Sequence, residues 1–348
     1  MNRSRIRQAV ERMRAYTPGE QPQEPGFIKL NTNENPYPPT PAIREALERP
    51  PDRLRLYPDP LCQELRRELA RLHGCRAEQV FVGNGSDEVL ALCVRAFVER
   101  DGTIGFFDPS YSLYPVLAAA EEIAVRPVPL KPDFTWDMPA GYAASLFFLT
   151  TPNAPTALQY PRETVRSFCA GFDGVVVLDE AYVDFAREHF MDMALEFGHV
   201  LVARSLSKSY SLAGLRVGYV VGAEPLIAAM YKIKDSYNVD RLAQEIALAA
   251  IRDQAHMRAN AARIRATRER AAAALRTRGF EVGPSEANFL WARPSRPAAR
   301  DLYEALRARK ILVRYFPGER TGAHLRVTIG TDGEMDALLR ALDEIGAG

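Results

Sequence analysis

Between residues 79 and 221 the chain alternates short apolar runs with amphipathic stretches, and nothing else in it restricts the fold so tightly. The runs are Gln79–Val82, Thr103–Phe107, Leu146–Leu149, Val175–Leu178, Val200–Ala203 and Val217–Val221. They are too short for helices, and several contain no polar residue at all. Strands of that kind are buried on both faces, as in a parallel sheet covered by helices. Helices are predicted at Asp87–Val98, Ser112–Ala120 and Pro161–Cys169, with earlier ones near 41–49 and 61–73. The pattern is that of an α/β fold with a mostly parallel sheet.

The flanks read differently. Residues 18–40 are rich in Pro, Asn and Gly and predict an extended arm. Ahead of it Ile6, Val10 and Met13 keep helical spacing, which predicts a packed amphipathic helix. Beyond about residue 240 comes one long Ala/Arg-rich helix, from Gln244 to Arg278. Strand candidates Phe289–Ala292, Ile311–Arg314 and His324–Ile329 follow, with two more helices. The 348 residues thus divide into an arm (1–40), a large α/β domain (41–243) and a smaller α+β domain (244–348).

Charge and cysteine usage exclude several classes. Lys plus Arg (45) nearly equals Asp plus Glu (44), so no field draws the chain to nucleic acid or an acidic membrane. The eight arginines from Arg252 to Arg278 then read as the solvated face of a helix whose other side carries Ile251, Ile264 and Leu275. No apolar run is long enough to span a bilayer and no secretory signal is present, so a cytoplasmic location is expected. Cys62, Cys75, Cys93 and Cys169 form no metal-binding spacing, and no metal site is expected.

Open α/β sheets bind ligands at the carboxyl ends of their strands, and four segments place reactive residues there. Val80-Phe-Val-Gly-Asn-Gly-Ser-Asp-Glu88 runs from a strand through glycines into a helix, so the Ser86 and Asp87 amides suit a phosphate; a plain glycine turn capped by Asp87 fits equally well. Val175-Val-Val-Leu-Asp-Glu-Ala-Tyr182 ends an apolar strand on Asp179, a carboxylate that needs a partner such as a protonated pyridine nitrogen, or else caps the next helix. Leu201-Val-Ala-Arg-Ser-Leu-Ser-Lys208 ends on Ser205, Ser207 and Lys208, an amine that semi-burial would make nucleophilic toward an aldehyde. Gly214-Leu-Arg216-Val-Gly218 supplies a guanidinium that suits a phosphate or a surface ion pair. Each segment alone is weak. A phosphate cradle, a ring-nitrogen carboxylate, a Schiff-base lysine and a phosphate arginine, in that order, are together the parts that pyridoxal phosphate (PLP) requires.

With these motifs the chain resembles the fold-type I PLP-dependent aminotransferases, and within them the histidinol-phosphate aminotransferase branch. The likeness runs over nearly the whole length. It includes Tyr16-Thr-Pro-Gly-Glu, Leu30-Asn-Thr-Asn-Glu-Asn-Pro-Tyr37, Tyr57-Pro-Asp, Asp108-Pro-Ser-Tyr111, Ser205-Leu-Ser-Lys208 and Leu325-Arg-Val-Thr-Ile-Gly330.

The resemblance implies roles. Lys208 would carry PLP as a Schiff base and then shuttle the proton. Asp179 would pair with the pyridinium nitrogen, Tyr182 would donate to the ring oxygen O3′, and Tyr111 would stack on the ring. Ser86, Asp87, Ser205, Ser207 and Arg216 would surround the cofactor phosphate, with Tyr57 reaching the site of the other subunit of a homodimer. Arg326 would grip the α-carboxylate of the amino donor, while Arg314 and Tyr16 would contact the phosphate of a phosphorylated acceptor; Asn33 would also line the substrate side. One departure stands out. Where the family reads P-N-N-P-T-G, this chain has Pro152-Asn-Ala-Pro-Thr-Ala157, so Ala154 takes the place of the usual O3′ asparagine, and either Tyr182 carries that contact alone or Asn153 shifts to help. Threonine-phosphate decarboxylation and aromatic-amino-acid transamination are the rival chemistries on this scaffold.

Overall fold

The computed structural model describes residues 4–346. In chain order the strands are β1 (Ile28–Lys29), β2 (Val80–Gly83), β3 (Thr103–Asp108), β4 (Ala124–Pro129), β5 (Leu146–Thr150), β6 (Val175–Asp179), β7 (Val200–Ser205) and β8 (Gly218–Gly222). Then follow β9 (Glu281–Val282), β10 (Phe289–Arg293), β11 (Ile311–Leu312), β12 (Arg314–Tyr315) and β13 (Leu325–Thr328).

The apolar runs form one seven-stranded sheet in the order β2-β8-β7-β6-β5-β3-β4. All its pairings are parallel except those of β8, which runs antiparallel to both β7 and β2. Burial on both faces explains the unbroken apolar spelling of β6. Val176 and Leu178 enter one hydrophobic cluster and Val177 the opposite one, as a period of two demands. Each such side chain contributes about 1.5–3 kcal/mol when fully buried. The register aligns Thr150, Asp179 and Ala203 across β5, β6 and β7, so these strands end in a common row.

The second sheet, β12-β13-β10-β9, is antiparallel and closes over that row. A separate parallel pair joins β1 to β11, with Ile28 opposite Ile311, and ties the arm to the small sheet.

Four expectations need correction. The apolar side of the N-terminal helix, Gln8–Arg12, is uncovered: Ile6 is 59% and Val10 45% exposed. The helix expected from Gln244 to Arg278 is two, Arg241–Arg252 and Gln254–Arg276, broken at Asp253. The Asp253 side chain accepts from His256 N and from Thr40 Oγ1, so the break is held by a distant arm residue. Ile311–Arg314 divides between β11 and β12, which lie in different sheets. Finally, Arg268 does not belong to a solvated stripe: it is buried and donates to the Phe185 and Ala287 carbonyls.

No described helix is long and apolar enough to cross a membrane. Among the described residues no group of three or more His, Cys, Asp or Glu side chains is placed to hold a metal ion.

Candidate active site

A cleft of about 800 Å³ opens where the carboxyl ends of β5, β6 and β7 face the small sheet and the arm. Its size is that of an ordinary small-molecule site. Of the residues singled out in the sequence, all line this cleft except Asn153 and Tyr57.

One end of the cleft gathers donors of the kind that suit an anion. Ser86 and Asp87 lie in the first turn of the helix Gly85–Phe97, where amides lack intrahelical acceptors. Two glycines make the approach possible. A Cβ on Gly218 would stand 2.5 Å from Ser86 N, and one on Gly85 (φ +80°) would stand 2.5 Å from Arg216 Nη2. Arg216 Nη1 donates to Ser207 Oγ at 3.4 Å, and Nη2 to Asp87 Oδ2 at 3.2 Å. Ser205 Oγ accepts from Ser207 N at 3.1 Å, turning the chain after β7. Serine hydroxyls, helix amides and a guanidinium thus converge as a phosphate requires.

Asp179, the last residue of β6, is buried. Its Oδ2 accepts from Tyr114 Oη at 2.8 Å and its Oδ1 from Ala181 N at 3.2 Å. Burial still dominates and pushes its pKa up to about 6. Tyr114, fully buried and stacked on Phe148, was not anticipated, although it follows Tyr111 by three residues. That spacing is the signal that marks it. Tyr111 donates to Asp87 Oδ1 at 3.1 Å and meets Tyr16 edge-on at 6.0 Å.

Lys208 lies in the turn beyond β7. Its amine donates to the Thr32 carbonyl at 3.1 Å and sits 5.8 Å from the centre of the Tyr182 ring. Withdrawal from water and the nearby Arg326 bring its pKa down to about 8. Asn35, also missed, donates through Nδ2 to the Lys208 and Ser209 carbonyls at 3.0 and 3.1 Å, so the arm holds the lysine backbone. Tyr182 Oη accepts from Asn33 Nδ2 at 3.0 Å.

On the small sheet, Arg314 of β12 stands opposite Arg326 of β13. Like charges facing across a ladder repel. Among the described residues neither has a carboxylate within ion-pair distance. Arg314 donates to the Thr17 and Pro18 carbonyls at 2.7 and 3.0 Å. Arg326 lies between the rings of Phe289 and Phe316, 5.3 Å from each centroid, and donates to the Asn31 carbonyl at 2.8 Å. Its Nε is buried without a partner among the described residues. Such a donor is costly unless a ligand satisfies it.

The structure corrects the expectation for Asn153. It is fully buried behind the cleft, where its amide donates to the Pro109 carbonyl and Thr156 Oγ1 and accepts from Ser110 Oγ. All its polar atoms serve the loop, so it cannot swing to replace the missing asparagine. Ala154 and Pro155 form the lining there. Ala157, at the usual glycine, keeps the left-handed conformation with φ +65°, at a cost of about 1 kcal/mol. Tyr57 is 75% exposed and stacks on Tyr237 at 4.3 Å, away from the cleft of its own chain.

A doubly covered sheet with a lysine, a carboxylate and an anion cradle at its strand ends defines a transferase of the aminotransferase kind, and the chain belongs to the aminotransferase class I and II family, whose model matches residues 25–342. Within it the chain is 46% identical over 338 residues to a histidinol-phosphate aminotransferase of Synechocystis sp., covering 97% of each. It is 47% identical over 339 residues to histidinol-phosphate aminotransferase 1 of Bordetella parapertussis, covering 95% of each. Among solved structures, the histidinol-phosphate aminotransferase of Sinorhizobium meliloti in complex with pyridoxal-5'-phosphate superposes with a TM-score of 0.88 at 24% identity, over 99% of this chain and 98% of that one. An aspartate aminotransferase double mutant of Thermus thermophilus superposes at 0.82 and 20% identity, over 98% of this chain and 99% of that one. At such identities the superpositions bear on the fold alone.

Proposed function

We propose that this chain is a PLP-dependent aminotransferase that exchanges the amino group between glutamate and the phosphorylated ketone imidazole-acetol phosphate, giving 2-oxoglutarate and L-histidinol phosphate. The observation that carries the substrate class is the facing pair Arg314 and Arg326, two guanidinium groups that have no carboxylate within ion-pair distance among the described residues. A phosphate dianion or a dicarboxylate offsets both charges, and a neutral substrate offsets neither.

The residues fit the cofactor. When bound, PLP supplies an aldehyde that takes up an amine and a ring that accepts the electron pair left as Cα loses its proton. Lys208 would hold the aldehyde carbon covalently, and its free amine would serve as the base that carries the proton between Cα and C4′. Asp179 would keep a proton on the ring nitrogen, and that cation would in turn offset the penalty of burying the carboxylate. Tyr182 would donate to O3′, and Tyr111 would cover the ring face. Ser86, Asp87 through its amide, Ser205, Ser207 and Arg216 would hold the phosphate. Arg326 takes the α-carboxylate of glutamate. L-Histidinol phosphate has no α-carboxylate, and Arg314, Arg326 and Tyr16 together meet its phosphate. The 46% identity to a histidinol-phosphate aminotransferase over 97% of the chain supports this choice.

Protein supplied with L-histidinol phosphate and 2-oxoglutarate should form glutamate, followed by coupled assay. No glutamate, with turnover of another amine under the same conditions, would reject the substrate assignment and leave the cofactor chemistry standing.

The reading includes a homodimer and a cytoplasmic location. Tyr57, exposed and stacked on Tyr237, would reach the partner's cofactor phosphate; its exposure supports that reading. Tyr57→Ala should weaken the enzyme, and mixing it with the inactive Lys208→Ala chain should restore one native site per hybrid. Hybrids no more active than Tyr57→Ala alone would place Tyr57 outside the shared site.

A further inference from the structure

Behind Tyr182 lies a hydrogen-bonded chain that reaches across all three parts of the molecule. Thr328, on β13 of the small sheet, accepts from Asn33 N through Oγ1 at 3.0 Å and bonds Asn33 Oδ1 at 2.9 Å. Asn33 Nδ2 in turn reaches Tyr182 Oη at 3.0 Å. The Asn33 carbonyl is held by Asn288 Nδ2 at 3.0 Å, and its backbone is left-handed with φ +57°. Asn33 and Thr328 are buried, and every polar group of Asn33 is engaged.

Counting protons gives this chain a direction. Thr328 Oγ1 already accepts the Asn33 amide hydrogen, so its own proton goes to Asn33 Oδ1. That turns the side-chain NH2 of Asn33 toward Tyr182, and an NH2 group donates only. The phenol must therefore accept from Asn33 and send its proton elsewhere. Tyr182 Oη has no other hydrogen-bond partner among the described residues. Tyr182 lines the cleft, which leaves that proton free for a ligand there, and the lining residues Ala154 and Pro155 carry no side-chain donor of their own. A phenol that accepts one hydrogen bond also donates a stronger one, because the chain polarises in a single direction.

We propose that Asn33 and Thr328 are positioning residues for cofactor chemistry: they aim the Tyr182 phenol proton at the ring oxygen O3′ and strengthen its donation. The inference rests on the cofactor reading above. It connects the substrate side to the ring as well, since Arg326 lies two residues before Thr328 on the same strand and so on the same face. The charged groups around Tyr182 are Arg326 from the small sheet, Asp179 from β6, Asp87 from the helix Gly85–Phe97 and Lys208. None of them changes in the variants below.

The test is the pH titration of visible absorbance in the PLP-loaded protein. A donor at O3′ favours the state in which the lysine–cofactor nitrogen has lost its proton, because the oxygen then bears its charge alone. Misdirecting the phenol raises the titration midpoint. Thr328→Val keeps the side-chain volume but removes the hydroxyl, and Asn33→Gly tolerates the left-handed backbone. Each should move the midpoint up by about half to one pH unit, roughly the worth of one hydrogen bond. In a Tyr182→Phe background, which has no phenol to aim, neither should move it further. Coloured variants with an unshifted midpoint would overturn the relay, as would an equal shift without the phenol. A parent protein that stays colourless with PLP would sink the cofactor reading and the relay together.

Discussion

Lys208→Ala is expected to lower kcat/KM for transamination by at least about four orders of magnitude, because one amine provides both covalent and proton-transfer catalysis. Bound cofactor should lose the absorbance of its lysine linkage, and borohydride should then fix no label on the chain. The fold should survive. Among the described residues the amine makes one hydrogen bond, to the Thr32 carbonyl, and losing it costs about 1 kcal/mol. Circular dichroism and Tm would separate lost chemistry from lost structure. The amine also sets a pH dependence. Its pKa is drawn down to about 8, so below that pH the unprotonated, nucleophilic fraction falls about tenfold per unit. The rate at which apoprotein takes up PLP should rise with pH and level off near 8. A plateau only near 10.5, the ordinary lysine value, would mean that the amine is not withdrawn from water as the cleft implies. Full activity in Lys208→Ala would dismiss the lysine altogether.

The second large effect is expected from Asp179→Asn, with kcat falling about a thousandfold, the scale of a preorganised charge at a reacting centre. The amide keeps the shape of the carboxylate and can still meet Tyr114 and Ala181 N, so the site should stay assembled. What disappears is the negative charge that holds a proton on the ring nitrogen. With a pKa pushed up to about 6 by burial, Asp179 is ionised above that pH even without a partner, and a cation beside it extends the ionised range downward. PLP affinity should change far less than kcat, because the phosphate cradle of Ser205, Ser207 and Arg216 is untouched. Equal loss of affinity and turnover would mean that Asp179 supports the site mechanically.

The strand-end residues stood out in the sequence because each interrupts or follows an apolar run. A carboxylate after Val-Val-Val-Leu, or a lysine two serines beyond another run, has no reason to be there on packing grounds. Strand β4 was hidden for the opposite reason. It holds Pro127 and Pro129, only Val128 on it is buried, and it survives because it lies at the sheet edge, where missing ladder donors cost little. The break at Asp253 carries no glycine or proline. It depends on Thr40, more than two hundred residues away, and local periodicity cannot register such a partner. Ile6 and Val10 show the converse: helical spacing guarantees an apolar stripe but not a surface to bury it. Asn153 and Ala154 are neighbours in the chain, yet a buried loop network takes the first and leaves the methyl of the second facing the cleft.

Spacing and residue type alone determined that the chain makes a doubly covered sheet and which side chains crown it, because burial and strand length are local demands on local sequence. Whether those side chains meet was decided only in three dimensions. Arg314 faces Arg326 because β12 and β13 pair in one register, and a slip of one residue would turn one of them away. Asn33 bonds Thr328 across 295 residues of chain because the arm threads between the sheets. Registers and long-range contacts of this kind are set by the packing of whole elements, and no window of sequence contains them.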